Sequence, residues 1–254
     1  MIIEYHRPTS IEEALQLLAR EEPRTVPLAG GSVLNQPASE KVAAVDLQDL
    51  GLNRLEKRGS TVELGATLTL QQLLDAPASV DGLAQVIRHE ATYNLRQVAS
   101  VAGTLVAADG RSPFATALLA LDAGLTLLPG PESVTLGDLL PLRRERLRGR
   151  LITQVTLPLN ARFAYHYAAR SPADRPLVCA AAAVWPSGRT RVALGGFGSA
   201  PVLALDGTGP DGAAAAAENA YSQAGDEWAS AEYRQEIAGV LVRRCLLELE
   251  LPVT

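Results

Sequence analysis

The longest unbroken apolar run in the chain, Leu177 to Trp185, is nine residues, and this constrains the fold more than any other feature. A membrane-spanning helix needs roughly twenty such residues, so the run cannot cross a bilayer. It is followed by Pro186-Ser-Gly188 and then by Arg189 to Leu194, a turn between two strand-length segments. The pattern predicts a β-hairpin inside a folded domain. A chain of 254 residues can hold one large domain or two to three small ones. With 47% hydrophobic and 20% charged residues it is globular rather than disordered.

The first ten residues, MIIEYHRPTS, carry acid, imidazole and proline where a secretory signal would be apolar. A cytoplasmic location is therefore expected, with no transmembrane segment. A net charge of -5 and 4% aromatic residues argue against a nucleic-acid partner. Of the 23 basic residues only Lys41 and Lys57 are lysine, a bias we read as genome composition.

Cysteine and histidine usage excludes further chemistry. Cys179 and Cys245 cannot form a disulfide framework, a CxxC site or an iron–sulfur cluster, which takes four thiolates. His6, His89 and His166 are scattered without metal-ligand spacing, and His6 and His89 read as surface residues. There is no GxSxG elbow and no Walker sequence. If the chain is an enzyme, its hard chemistry belongs to a borrowed cofactor.

Strand and helix signals alternate through the first half. Ser10-Ile-Glu-Glu13 and Thr69-Leu-Gln-Gln72 are capping boxes opening helices. Strands are predicted near Thr25–Leu28, Val42–Asp46, Thr61–Leu64, Leu125–Leu128 and Leu151–Leu157, and Leu83, Val86 and Ile87 suggest a helix. The stretch from Asn94 to Asp109 has no clean period and reads as a long ordered loop. Ser112-Pro113 opens a buried helix by cap and N1 proline. Arg143 to Arg150, with five arginines in eight residues, reads as a solvated loop.

Composition changes after Pro158. Arg162 to Ala169 alternates, with Phe163, Tyr165 and Tyr167 on one face and His166 on the other. Beyond the hairpin the rest looks helical, with an alanine-rich stretch at 213–217 and a core-striped helix over Glu232–Glu248. The fold class is α+β with a helical end.

Three glycine turns raise the question of phosphate binding, since backbone N–H groups bared by glycine can converge on a diphosphate. They are Ala29-Gly-Gly-Ser-Val-Leu34, Val98-Ala-Ser-Val-Ala-Gly-Thr104 and Gly195-Gly-Phe-Gly198. Singly, each is more often a plain turn than a cofactor cradle.

Taken in order with the segments around them, they resemble the medium, FAD-binding subunit of the molybdenum hydroxylases. That group includes the aerobic carbon monoxide dehydrogenases and the flavin portion of xanthine dehydrogenase. The matching segments run nearly end to end. They are Glu4-Tyr-His-Arg-Pro8, Ile11-Glu-Glu-Ala-Leu15, Leu28-Ala-Gly-Gly-Ser32, Gly65-Ala-Thr67, Leu95 to Thr104, Leu118-Leu-Ala-Leu-Asp-Ala123, Arg170, Asp174, Gly195-Gly196, Ser230 to Arg234 and Val242-Arg-Arg244.

The resemblance implies a two-lobed FAD-binding domain of the vanillyl-alcohol-oxidase (PCMH) type, followed by a small α+β domain with terminal helices. The lobes would be residues 1–55 and 56–160, and the C-terminal domain residues 161–254. Leu28, Ala29, Gly30, Gly31, Ser32, Val33 and Leu34 would hold the FAD diphosphate through backbone amides, and Ser100, Ala102, Gly103 and Thr104 would close on it. Leu151 or Ile152 would lie near the isoalloxazine ring. His166 falls where the family often has lysine facing the flavin.

There are departures from the family pattern. Ala102-Gly103-Thr104 stands where Gly-Gly-Asn is usual, Arg150 where an acid is common, and Pro113 where an aspartate is expected, with Asp109 its nearest substitute.

The function implied is electron transfer within a complex. Electrons would arrive from an iron–sulfur small subunit and pass through FAD to a quinone, NAD or another acceptor. A large subunit would carry the molybdenum cofactor and oxidise the substrate. Through that complex the chain could lie at the inner face of a membrane. A degenerate, flavin-free structural subunit of such a complex is the first alternative, and a stand-alone flavin reductase related to the cell-wall-precursor reductases the second.

Overall fold

A computed structural model describes residues 1–34, 40–76 and 80–252. Its strands are β1 (Ile2–His6), β2 (Thr25–Leu28), β3 (Val42–Asp46), β4 (Leu55–Arg58), β5 (Thr61–Gly65), β6 (Gly124–Leu128), β7 (Glu132–Thr135), β8 (Leu151–Pro158), β9 (Arg162–Ala168), β10 (Val178–Val184), β11 (Thr190–Gly195) and β12 (Val202–Gly207). Its α-helices are α1 (Ile11–Leu18), α2 (Leu70–Asp75), α3 (Leu83–Glu90), α4 (Tyr93–Arg96), α5 (Val101–Ala107), α6 (Pro113–Ala120), α7 (Leu136–Leu139), α8 (Arg143–Arg146), α9 (Ala213–Ala220) and α10 (Ala231–Glu248). The fold is α+β, and two compact units share it.

The first unit comprises Met1–Pro77, Tyr93–Ala107 and Gly124–Thr156. It contains a parallel sheet in the order β1-β3-β2 and a second sheet in the order β4-β5-β8-β6-β7. β3 is buried at every position, as a central strand flanked on both edges must be. Its last residue, Asp46, accepts a hydrogen bond from the Tyr5 hydroxyl and another from the Gln48 amide at 3.0 Å. Helix α1 packs Ala14 and Leu18 against Val45, Leu47 and Leu151. Its cap is Ser10, whose Oγ accepts from the Glu13 amide, while the Glu13 carboxylate accepts from Thr9 rather than from Ser10. At α2 the box is complete, with Thr69 and Gln72 bonding each other's amides.

The second unit comprises Ala78–Thr92, Ala108–Ala123 and Leu157–Thr254. Its antiparallel sheet runs β12-β11-β10-β9, and β10 lies within the apolar run Leu177 to Trp185. Every residue of β10 is buried. Side chains alternate across a strand, so Ala180 and Ala182 pack against Ala217, Leu241, Val242 and Cys245 of α9 and α10, while Cys179 points toward Thr116 of α6. Alanine on both faces lets helices cover this sheet closely. Ser112 caps α6, accepting from the Ala115 amide, and α6 is buried on all sides.

Four strands escape the sequence reading: β1, β4, β7 and β12. The segment after Pro201 forms β12, paired with β11, before the chain turns helical. The stretch expected as a loop from Asn94 to Asp109 contains α4 and α5. Ser100 explains α5, because its Oγ accepts from the Gly103 amide at 3.1 Å and its carbonyl accepts from the Thr104 amide and hydroxyl. The helix is only seven residues of small and β-branched types, too short to show a period. In the arginine-rich stretch, Arg143–Arg146 is helical, and Arg146 and Arg150 both pair with Glu132.

Candidate functional site

The candidate site in the first unit starts where β2 ends. The Leu28 carbonyl accepts from the Leu47 amide at 2.9 Å, the last rung tying this strand to β3. The chain then turns through Ala29 and Gly30 to Gly31, whose φ of +70° favours glycine. Gly30 lies against the backbone of Val98, and a Cβ there would fall 1.5 Å from the Val98 carbonyl oxygen. No side chain can enter that gap.

Val98 belongs to a segment pinned by its own ladder. The Leu70 amide donates to Ala99, the Val101 amide to Leu68 and the Ala102 amide to Ala66, at 2.8 to 3.1 Å. The Ala66 amide in turn donates to the Thr153 carbonyl of β8 at 3.0 Å. Leu28 to Gly31, Val98 to Thr104, and Leu151 to Thr153 are thus joined through backbone contacts inside one unit. Leu151 and Ile152 pair with Leu128 and Leu127, and their side chains are buried.

The two turns offer different chemistry. Among the described residues, the amides of Gly30, Gly31, Ser32, Val33 and Leu34 have no hydrogen-bond acceptor, although four of these five residues are partly buried. A run of unsatisfied amides beside glycine fits the oxygens of a diphosphate. In the second turn, the amides of Val101, Ala102, Gly103 and Thr104 are all spent inside the protein. There the Ser100 hydroxyl, which accepts from Gly103, keeps its own proton uncommitted among the described residues.

Asp109 and His166 fall in the second unit. Asp109 is held by the Arg175 guanidinium and by the Arg111 amide at 2.8 Å. Burial works against its charge, but these bonds prevail and hold its carboxyl below the ordinary carboxylate range. His166 Nε2 lies 2.8 Å from Glu248 Oε2.

His89 is not the surface residue expected from sequence. Its Nε2 donates to the Asp174 carbonyl at 3.0 Å, which fixes the tautomer, so Nδ1 accepts from the Tyr165 hydroxyl at 2.8 Å. Its ring stacks on Tyr167 with 3.9 Å between centroids. Next to it, Glu90 accepts from the Ser112 hydroxyl and the Phe114 amide, both at 2.8 Å. Burial raises its carboxyl above the ordinary range. By its period Glu90 falls on the face of α3 that buries Leu83, Val86 and Ile87, whereas nothing in that period marks His89; only its aromatic partners, distant in sequence, reveal it.

Among the described residues, no three histidine, cysteine or acidic side chains gather to hold a metal, and no helix is long and apolar enough to cross a membrane.

Residues 1–160 match the family described as the FAD binding domain in molybdopterin dehydrogenase. The chain belongs to that family. The glycine turns at the end of β2 and at the start of α5 lie inside the matched span. Among similar proteins, an uncharacterized protein of Escherichia coli, YgfM, is 31% identical over 95% of this chain and 94% of its own length. The nicotine 6-hydroxylase medium subunit of Paenarthrobacter nicotinovorans is 28% identical over 97% of this chain and 96% of its own. The crystal structure of a Cu,Mo-CO dehydrogenase superposes with a TM-score of 0.83, at 26% identity, covering 97% of both chains. The relatives with assigned roles are thus subunits of oxidoreductases.

Proposed function

We propose that this chain is the FAD-holding medium subunit of a multi-subunit molybdenum hydroxylase, taking electrons from iron–sulfur clusters on a small subunit and delivering them to a quinone, NAD or another acceptor. The observation that carries the proposal is the run of five amides from Gly30 to Leu34 that have no acceptor among the described residues, backed by Val98. Bound FAD would supply what no side chain here can, a centre that accepts and releases electrons.

The protein's own part is to bind and orient. Leu28 and Ala29 would bring the chain off β2, and the amides from Gly30 to Leu34 would neutralise the diphosphate. Ser100 would add a hydroxyl donor, with Ala102, Gly103 and Thr104 holding its position through the first turn of α5. Leu151 and Ile152 would present backbone toward the ring. The lobe limits 1–55 and 56–160 and a C-terminal domain over 161–254 are part of the same proposal. They are supported by the three sheets falling one to a span, apart from Leu55 of β4, and by the family match ending at residue 160, whereas the compact units group Ala78–Thr92 and Ala108–Ala123 with the C-terminal sheet. We also infer a cytoplasmic complex in which a separate large subunit carries the molybdenum cofactor.

The test is Gly31→Val, assayed by FAD titration of the purified chain with circular dichroism as the folding control. A folded variant that has lost FAD retention is expected. A folded variant that keeps stoichiometric FAD overturns the cradle.

One observation favours a second reading, that of a flavin-free structural subunit. The amides of Val101, Ala102 and Thr104 are all consumed by the protein, so the second turn contributes little to a diphosphate. On that reading Gly31→Val changes nothing about colour, because the unsubstituted chain is colourless too.

A further inference from the structure

Trp228 is one of two tryptophans in a chain with few aromatics, and it is 44% exposed. Two guanidiniums lie over its indole, that of Arg111 at 4.8 Å from the ring centroid and that of Arg170 at 5.2 Å. Neither has an ion-pair partner among the described residues. Arg111 donates through Nε to the Pro176 carbonyl at 3.1 Å and through Nη2 to the Arg175 carbonyl at 2.9 Å. Arg170 donates through Nη2 to the Trp228 carbonyl at 3.2 Å.

The acids nearby are engaged elsewhere or stand apart. Asp226 takes Arg234 and the amides of Trp228 and Ala229, and Asp109 takes Arg175. Asp174 and Glu227 are exposed and form no ion pair with either arginine among the described residues. Two cations therefore share one ring without a direct ion pair among the described residues; burial disfavours the charge on Arg111 most, Arg175 adds repulsion, and Asp109 and Asp226 offset it in part. Among the described residues, Arg170 Nε and Nη1 and Arg111 Nη1 have no acceptor.

The arrangement is also rigid. Arg234, fully buried, donates to the carbonyls of Leu177, Ala224 and Ala229 and to Asp226, fixing the turn that carries Trp228. The turn that carries Arg111 is fixed at Gly110, whose amide donates to Gly198 and whose carbonyl accepts from Gly196. A Cβ on Gly110 would fall 1.8 Å from the Phe197 carbonyl oxygen.

We propose that Arg111, Arg170 and Trp228 form a binding site for a diphosphate-bearing ligand, whose anionic oxygens take the free guanidinium edges. Guanidinium forks match phosphate geometry. An anion between two like charges relieves their repulsion and is favoured over water, and the exposed part of the indole is available to a planar base. All the residues belong to the second unit, so the site stands or falls independently of the flavin cradle.

The test is isothermal titration of ADP and, separately, of inorganic pyrophosphate into the purified chain in the presence of saturating FAD. The wild type is expected to bind both saturably, and Arg170→Gln to weaken binding at least tenfold while melting at the same temperature. Tighter binding of ADP assigns the ligand as a nucleotide, and equal binding assigns it as the diphosphate group alone. Absence of saturable binding in the wild type, or equal affinity in Arg170→Gln and in Trp228→Leu, overturns the site.

Discussion

The α-carbon of Gly30 faces the carbonyl of Val98 so closely that a Cβ on Gly30 would fall 1.5 Å from its oxygen. This contact joins the turn after β2 to the segment before α5. Gly30→Ala forces one backbone to retreat. Overpacking of this kind typically costs about 1–3 kcal/mol, which corresponds to a fall in Tm of roughly 2–12 °C for a chain of this size. The expected outcome is a lower Tm by calorimetry together with weaker FAD retention. An unchanged Tm would show that the two segments are not in contact.

Arg234 is the most buried charge in the second unit, with no exposed surface and four protein acceptors. Arg234→Met leaves three carbonyls and Asp226 without their donor. Asp226 is partly exposed and keeps the amides of Trp228 and Ala229, so the loss falls on the carbonyls, at about 1–3 kcal/mol for a buried acceptor left unsatisfied. Denaturant unfolding should show a loss of that order, and Asp226→Asn should lose less, because the carbonyl bonds survive.

Cys179 and Cys245 are fully buried, and burial pushes both thiols up to about 12. The thiolate is the reactive form. Ellman's reagent at pH 8 should therefore find neither cysteine in the native chain, and two equivalents after denaturation. Rapid native labelling would contradict the burial of β10 against α6 and α10.

His89 gives stability a pH dependence of definite sign. Burial lowers its pKa, against a smaller opposing effect of the Asp174 carbonyl. The unfolded chain then takes up the proton first, at its ordinary value of about 6.5. The contribution is fully present above that pH and is lost as pH falls from there through the lower folded value. Between pH 7.5 and 5.5 the wild type should lose more Tm than His89→Gln, measured side by side. Parallel slopes would show that His89 does not titrate between the two states.

Much of the fold was legible where burial imposes a pattern. The predicted strands at Thr25–Leu28 and Val42–Asp46 are β2 and β3, and the cap at Ser112-Pro113 opens α6. The four strands that were not legible are all edge strands: β1, β4, β7 and β12. Each presents mostly exposed or half-exposed residues, so no alternation of buried side chains survives in the sequence. β2 is an edge strand too and was legible, so edge position alone does not hide a strand.

The site divides in the same way. The turn at Gly30 and Gly31 was visible as a glycine turn after a strand, but on its own it reads as a plain turn, and only the resemblance of the segments around it singled it out. The capping role of Ser100, which the resemblance had named only as a diphosphate contact, was not legible, since a helix as short as α5 leaves no period and its cap looks like an ordinary loop serine. The clamp on His89, and the pairing of Arg111 and Arg170 with Trp228, join residues far apart in sequence. The chain order carries no trace of either.

The central claim is that the turn after β2 holds FAD, and the most direct measurement is the visible absorption spectrum of the purified chain, with acid release and identification of the cofactor. Stoichiometric FAD is predicted, with the flavin bands present before any is added. A colourless chain that also fails to take up added FAD, alone and within its complex, would contradict the account and leave the protein a structural subunit.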